Sequence, residues 1–349
     1  MVEEQALSSV VKDRVRKAAR QLGAADPLLY VGELLERSFP HPVGDPKYAA
    51  NTLTPGAAPF EPSFSEREPH ALRFTIEPLG PGPSPVARRE EATREMRRLV
   101  GPVFGNDALR WFDERSEEWR GLASLSDLEY GAWFGSGYDR DGLTSAKVYY
   151  ELQPHHLDAL PPALARIVKI AREALPGLVP AFTSIACRRD AGGQRVTFMH
   201  RGVLRLSALE PLLRRLGLAH HLPALMQLVG VALGGRFELP ERTVLLGFGE
   251  APDGPELKLE ALLGMLPDVP PTFLDLVALG LSERPRELRA LARWLRAFTP
   301  ESKDWPGNFS VFSIRTSPRT PPRVSLYLRP VEFEVHRRVA DVPAMAAVS

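Results

Sequence analysis

The chain has 349 residues, 44% of them hydrophobic and 25% charged, with a formal net charge of +1. Such a composition fits a globular protein with a sizeable core. The balanced charge supplies no global field with which to hold nucleic acid or an anionic membrane surface. A single cysteine, Cys187, excludes an intramolecular disulfide framework and a cysteine-cluster metal site. The N-terminal stretch MVEEQALSSVVKDRVRKAARQLG is charged and amphipathic and does not read as a signal peptide. No apolar run approaches the roughly 20 residues of a membrane span. The expected location is the cytoplasm, with neither a membrane nor a nucleic-acid partner.

In chain order, residues 1–37 predict two helices, with apolar residues at helical spacing in LSSVVKDRVRKAARQL and DPLLYVGELLERSF. A Pro/Gly-rich connector covers 39–59, and residues 60–80 are extended before the cluster GPGPSP. A charged helix over 85–100 has Pro near its start, and a second over 106–120 follows an Asn/Asp cap. Two extended runs come next, GLASLSDLEYGAWFGSG and LTSAKVYYELQP, joined by a turn around YDRDG. The pattern then repeats. A helix over 161–175 precedes TSIACRR, the turn DAGG and QRVTFMHR. Helices over 207–217 and 222–233 precede TVLLGFGE, the turn APDGP and ELKLEALL. Helices over 271–281 and 285–298 precede NFSVFSIRT, the turn SPRTPP and RVSLYLRPVEF.

Each unit is a helical stretch followed by a hairpin, so the strands pair locally and antiparallel, and a doubly wound parallel sheet is excluded. About ten antiparallel strands are expected to close on themselves and so remove their edges. The expected fold is α+β: a ten-stranded antiparallel barrel inside a ring of helices, built from repeated ααββ units in one domain (helices and connector over 1–50, barrel over 60–335). Five segments, ALRFTIEP, SAKVYYELQP, GQRVTFMHR, ELKLEALL and PRVSLYLRP, each carry a basic residue near the start: Arg73, Lys147, Arg195, Lys258 and Arg323. Side chains two apart on a strand share a face. In a common barrel the five cations therefore converge on one lumen, as a pyrophosphate site requires.

The block PFEPSFSEREPHALRFTIEPL resembles the P-F/V-E-x-S motif and the following arginine strand of the dimethylallyltryptophan synthase-like (indole prenyltransferase) family of ABBA-fold aromatic prenyltransferases. AKVYYELQP resembles that family's K-x-Y strand, VALGGR its T-L-G-G segment, and the last hairpin fits as well. The resemblance spans roughly residues 50–330 and points to a compact bacterial-type member. It implies the prenyltransferase (PT) barrel and transfer of a dimethylallyl or longer group from its diphosphate to an indole or tryptophan-type acceptor in secondary metabolism. It implies two small-molecule substrates, no metal and no other cofactor, in a monomer or homodimer.

On this resemblance Arg73, Lys147, Arg195, Lys258 and Arg323 grip the diphosphate, with Tyr149 and Tyr327 contacting phosphate and shielding the allylic cation. Glu61 is the catalytic glutamate that accepts the indole N–H and helps remove the arenium proton. Glu77, just before Pro78 at a strand end, suggests a structural role. Trp111, Trp119, Trp133, Trp294 and Trp305 are candidates for an acceptor wall, of which Trp111, Trp119 and Trp294 better suit the helix–barrel core. The chain departs from the family pattern at Thr197 and Met199, where a cation and an aromatic are usual, and at Glu260. Either Glu260 pairs with Lys258 or that strand slips by one residue, which would turn every side chain over. Met199, Thr197, Glu260, Trp133 and Ser325 are assigned to the prenyl and acceptor pocket. Two alternatives stay open: the same fold acting on a phenol, naphthol or peptide acceptor, and a non-catalytic barrel that binds a phosphorylated, lipid-like ligand.

Overall fold

The computed structural model describes residues 5–120 and 128–335. Helices α1 (Leu7–Leu22) and α2 (Leu28–Ser38) open the chain. Their buried residues (Leu7, Val11, Val15, Ala18 and Leu22; Val31 with Leu34 and Leu35) recur at three- and four-residue steps, so each helix presents one apolar stripe. Helix α1 stops at Gly23, whose φ of 75° lets its N–H turn back to the carbonyls of Ala19 and Arg20. Four units follow in which helix and hairpin alternate. They are preceded by the first hairpin, β1 (Phe60–Ser65) and β2 (Leu72–Ile76), and comprise α3 (Pro85–Phe104), α4 (Asn106–Arg120), β3 (Ala132–Asp139) and β4 (Gly142–Glu151); α5 (Pro162–Ala174), β5 (Leu178–Arg188) and β6 (Gly192–His200); the two-residue strands β7 (Leu204–Arg205) and β8 (Glu238–Leu239) flanking α6 (Glu210–Arg215) and α7 (Leu222–Ala232), then β9 (Val244–Ala251) and β10 (Gly254–Leu262); and α8 (Phe273–Gly280), α9 (Pro285–Phe298), β11 (Gly307–Ser317) and β12 (Thr320–Pro330).

Ten of these strands form a closed barrel in the order β1-β12-β11-β10-β9-β6-β5-β4-β3-β2, every pair antiparallel. Closure comes from β1 on β12, where Ser63 lies opposite Tyr327 and Ser65 opposite Ser325, so the wall has no free edge. The expected barrel and its helical jacket are present. Two local differences have physical causes. The third hairpin begins at Leu178, earlier than the TSIACRR segment, because a register shift between Pro180 and Phe182 accommodates a proline that has no N–H to give the ladder. The β7–β8 ribbon, too short to carry a sequence pattern, ties together the ends of the α6–α7 stretch. The extended run expected over 121–137 falls partly outside the described residues, and β3 begins at Ala132.

The outward face of the wall carries Leu72, Phe74, Ala146, Val148, Tyr150, Val196, Phe198, Leu257, Leu259 and Leu326, all buried under the helices. Trp119 of α4 stacks on Tyr150 at 6.3 Å and 12°, and the Tyr150 hydroxyl is satisfied by Thr93 of α3 at 2.7 Å. Across the barrel, Trp294 of α9 packs on Phe64 at 6.2 Å. Arg14 of α1 grips Glu332, just after β12, through Nε at 2.5 Å and Nη2 at 2.7 Å, tying the first helix to the end of the wall. Among the described residues no helix is long and apolar enough to cross a membrane.

Candidate active site

Strand direction alternates around the barrel, so the turns of all five hairpins lie at one end and the helical connections at the other. Positions between the buried outward residues face the lumen: Arg73, Lys147, Tyr149, Arg195, Thr197, Met199, Lys258, Glu260, Ser325 and Tyr327. This polar inner row is incompatible with a packed core and suits a ligand-holding lumen. A cavity of about 540 Å³ lies at the hairpin-turn end, lined by Arg67, Lys147, Arg188, Arg195, Glu256 and Arg315 with Trp111 of α4.

The cations at this end are packed closely enough to repel one another. Lys147 sits 5.3 Å from the Tyr149 ring centroid. Burial, then the nearby charges of Arg73, Arg195, Arg188 and Lys258, hold its ammonium well below the usual lysine range. Arg73 approaches Glu68 at 3.6 Å, and Glu68 is lowered chiefly by that guanidinium. Lys258 donates to Glu260 at 2.6 Å and to the Tyr327 hydroxyl at 2.7 Å, and lies 4.9 Å from the Tyr327 ring. Burial would lower Lys258, but Glu260 and Tyr327 outweigh it and raise it. Lys258 is opposite Gly247 and Glu260 opposite Leu245, so no slip occurs and the pairing alternative holds.

Glu61 on β1 faces the same lumen and is 6% exposed. Burial is the main cause that pushes its carboxyl up to about 7, with Glu260 adding to the rise, while Ser310 and Lys258 oppose it. Ser310 Oγ donates to Glu61 Oε1 at 2.6 Å. The serine reaches it because it is the extra residue of a bulge between Phe309 and Val311. Nearby, Trp133 stacks on Tyr130 at 4.2 Å and 10°, meets Phe182 edge-on at 5.7 Å, and lies 6.3 Å from Tyr149. Its indole N–H donates to Thr52 Oγ1 at 3.2 Å. These four rings form an aromatic wall along β3–β5, with Tyr130 just before β3. Tyr149 is raised to about 12, first by burial and then by Tyr327.

The sequence-assigned residues do not all behave alike. Arg323 lies opposite Arg315, yet its guanidinium turns to Glu66 at 3.5 Å, a buried carboxylate that Arg284 also holds at 2.7 Å. Trp119 and Trp294 are core residues as expected, whereas Trp111 packs on the core and also lines the cavity, and Trp305 is exposed. Glu77 is tied down by the Thr52 N–H and hydroxyl, at 3.2 and 3.1 Å, and by Arg88 at 3.3 Å. VALGGR ends α7, with Gly234 and Gly235 at positive φ, and lies outside the wall. Sequence reasoning missed Arg67, Arg188, Arg315, Glu256, Ser310 and Phe182. Arg188 and Arg315 were marked by two-residue spacing in SIACR and SIR, on the first strand of their hairpins. Glu256 was marked by its step of two from Lys258 in ELKLE. Among the described residues no group of three or more His, Cys, Asp or Glu side chains could hold a metal ion.

No protein-family model matches the chain, and no curated protein matches it. Solved structures do. Prenyltransferase PriB in its ternary complex with L-tryptophan and dimethylallyl thiolodiphosphate is 17% identical with a TM-score of 0.73, covering 97% of this chain and 100% of that one. 5-Dimethylallyltryptophan synthase from Streptomyces coelicolor is 18% identical with a TM-score of 0.71, over 96% of this chain and 100% of its own. 6-Dimethylallyltryptophan synthase from Micromonospora olivasterospora, in complex with its thiolodiphosphate donor analogue and Trp, is 19% identical with a TM-score of 0.70, over 96% and 100%. The chain therefore has the helix-ringed antiparallel barrel of these prenyltransferases, along essentially its whole length.

Proposed function

We propose that this chain, working as one domain, transfers an allylic prenyl group from its diphosphate to an indole or tryptophan-type acceptor. The observation that carries the reading is a single lumen that holds both a cluster of cations and a carboxylate, Glu61, whose burial pushes it up to about 7. Breaking the allylic C–O bond leaves an allylic cation and a diphosphate anion. Arg73, Lys147, Arg195 and Lys258 are fixed before the reaction and meet that anion without reorganising, which favours the separated charges over the intact ester. The faces of Tyr149 and Tyr327, each beside a lysine, shield the cation from water. A ring carbon of the acceptor then attacks the cation, and the ring becomes an arenium ion. Its N–H grows more acidic as charge develops, so ionised Glu61 binds it more strongly in the transition state than in the ground state. The arenium ion gives up its proton, Glu61 takes it up, aromaticity is restored, and diphosphate leaves.

Charge stabilisation is assigned to side-chain cations, so turnover is expected to persist in EDTA. The solved PriB complex, which holds L-tryptophan with dimethylallyl thiolodiphosphate, supports the choice of acceptor. The protein would act in the cytoplasm as a monomer or homodimer. The test is direct: purified protein is incubated with dimethylallyl diphosphate and L-tryptophan, with and without EDTA, and products are read by mass spectrometry. A prenylated tryptophan or indole in both arms is the expected result. Binding of diphosphate with complete survival of the allylic donor would leave a non-catalytic barrel.

A further inference from the structure

Glu256 is the least expected group at the cation end. Its side chain is 2% exposed, yet it lines the cavity and meets guanidinium groups from three separate elements. Arg195 of β6 donates to Oε1 through Nη2, Arg315 of β11 donates to Oε2 through Nε, and Arg67 of the β1–β2 turn donates to Oε2 at 3.3 Å. Burial alone would raise this carboxyl, but Arg195 and Arg315 hold it down at about 2, so it stays charged. Arg195 Nε is buried and has no partner, so part of that guanidinium's donor set is unused.

The reach from Arg195 to Glu256 is built into the strand between them. Arg195, Gly249 and Glu256 form one row across β6, β9 and β10, so the arginine must cross a whole strand, roughly 10 Å between the outer two. It crosses over Gly247. A Cβ on Gly247 would stand 2.6 Å from Arg195 Cδ, whereas one on Gly249 would first meet the Gln194 carbonyl at 3.3 Å and would be in ordinary contact with Arg195 Cβ and Glu256 Oε1 at 3.6 Å. Neither glycine has a positive φ, so backbone conformation does not explain them. The Arg195 stem explains Gly247, because it lies over that bare position.

We propose that Glu256 is a built-in anionic brace that fixes Arg67, Arg195 and Arg315 as a preformed array for the donor's diphosphate, with Gly247 clearing the path along which Arg195 reaches it. Glu256 is thus a positioning residue. A carboxylate that merely neutralised the cluster until a ligand displaced it would have the opposite effect on affinity. The inference deepens the proposed prenyl transfer and rests on it for the identity of the anion.

Inorganic pyrophosphate is the probe, titrated calorimetrically into wild type, Glu256→Gln and Gly247→Ala. The brace predicts binding weaker by about tenfold to a hundredfold in Glu256→Gln, the size of a lost charge-assisted hydrogen bond. Gly247→Ala leaves every charge in place and should weaken binding in the same direction, with a raised KM for the allylic donor and little change in KM for the acceptor. Tighter or unchanged binding by a folded Glu256→Gln overturns the proposal. If that variant does not fold, Gly247→Ala decides, and unchanged affinity there overturns it. Wild type that binds no pyrophosphate sinks the prenyl-transfer reading itself, whereas normal binding with insensitive variants sinks only the brace.

Discussion

Replacing Glu61 by Gln separates chemistry from stability in a way that few other changes in this barrel can. The carboxyl is pushed up to about 7, chiefly by burial, from an ordinary value of 4.5. Between those values the folded state binds more protons than the unfolded chain, so stability falls as pH rises from about 4.5 to about 7. Above that window the charged carboxylate costs the fold roughly 3 kcal/mol, from 1.36 kcal/mol per pKa unit. Glutamine keeps an acceptor for the Ser310 hydroxyl and removes the charge, so Glu61→Gln should be more stable than wild type at pH 8, by up to that amount, and nearly equal to it at pH 4.5. Activity should move the other way. Only the ionised form can take the acceptor N–H, so wild-type kcat/KM should climb about tenfold per pH unit below 7 and level above it. Glu61→Gln should lose about 10²–10⁴-fold and lose the ascending limb with it. Ser310→Ala removes a hydrogen bond that favours the charged form, so its limb should shift to higher pH. The assays are pH-resolved steady-state kinetics with L-tryptophan and denaturant unfolding at pH 4.5 and 8. A flat wild-type profile between pH 6 and 8, or a Gln variant less stable than wild type at pH 8, would refute the reasoning.

Lys147 should take up a proton when diphosphate binds. Burial and four surrounding cations depress it in the free protein, and an arriving anion reverses the local field. Pyrophosphate titrations in two buffers of different ionisation enthalpy should show proton uptake that is smaller in Lys147→Gln, and identical uptake in both proteins would count against the assignment. The same depression means that stability gained from Lys147 grows as pH rises towards the ordinary lysine value, since the unfolded chain holds that proton longer. Trp133→Ala removes a stacked ring and the bond to Thr52, and should raise KM for the aromatic acceptor about tenfold while leaving pyrophosphate affinity unchanged. Trp294→Ala hollows the layer between α9 and β1 and should destabilise by about 3–5 kcal/mol in urea unfolding, with KM values unaltered in the folded fraction.

The parts of this protein that could be read in its sequence are those that local period and turn chemistry specify. Alternation in ALRFTIEP and AKVYYELQP puts Arg73, Lys147 and Tyr149 on one face before any partner strand is known, and hairpins with short turns force antiparallel neighbours. Which strand of a hairpin carries a cation into the lumen is equally local, and Arg188 and Arg315 stand at two-residue steps on the first strands of their hairpins. Pairing between distant segments is different, because register across β6, β9 and β10 exists only in the closed wall. Arg323 has the right spacing and the right face, but Glu66, delivered by the β1–β2 turn, claims its guanidinium. A sequence pattern fixes where a side chain leaves the backbone, not which charge waits at the end of a long flexible stem.

The glycines show the same limit from the other side. GSG in β3 and GFG in β9 look like interruptions of a strand, since glycine weakens strand interiors. In the barrel these four glycines, Gly135, Gly137, Gly247 and Gly249, face the lumen opposite Lys147, Ser145, Thr197 and Arg195. A Cβ at Gly137 would lie 2.8 Å from Ser145 Oγ and 3.0 Å from Thr144 Oγ1, and one at Gly247 would overlap Arg195. On β3 the bare position makes room for hydroxyls of β4, and on β9 an arginine leans across the bare strand. The residues that look least informative in the chain set how far the charged ones can reach. A cation array that must meet a diphosphate without rearranging depends on that clearance as much as on the cations themselves.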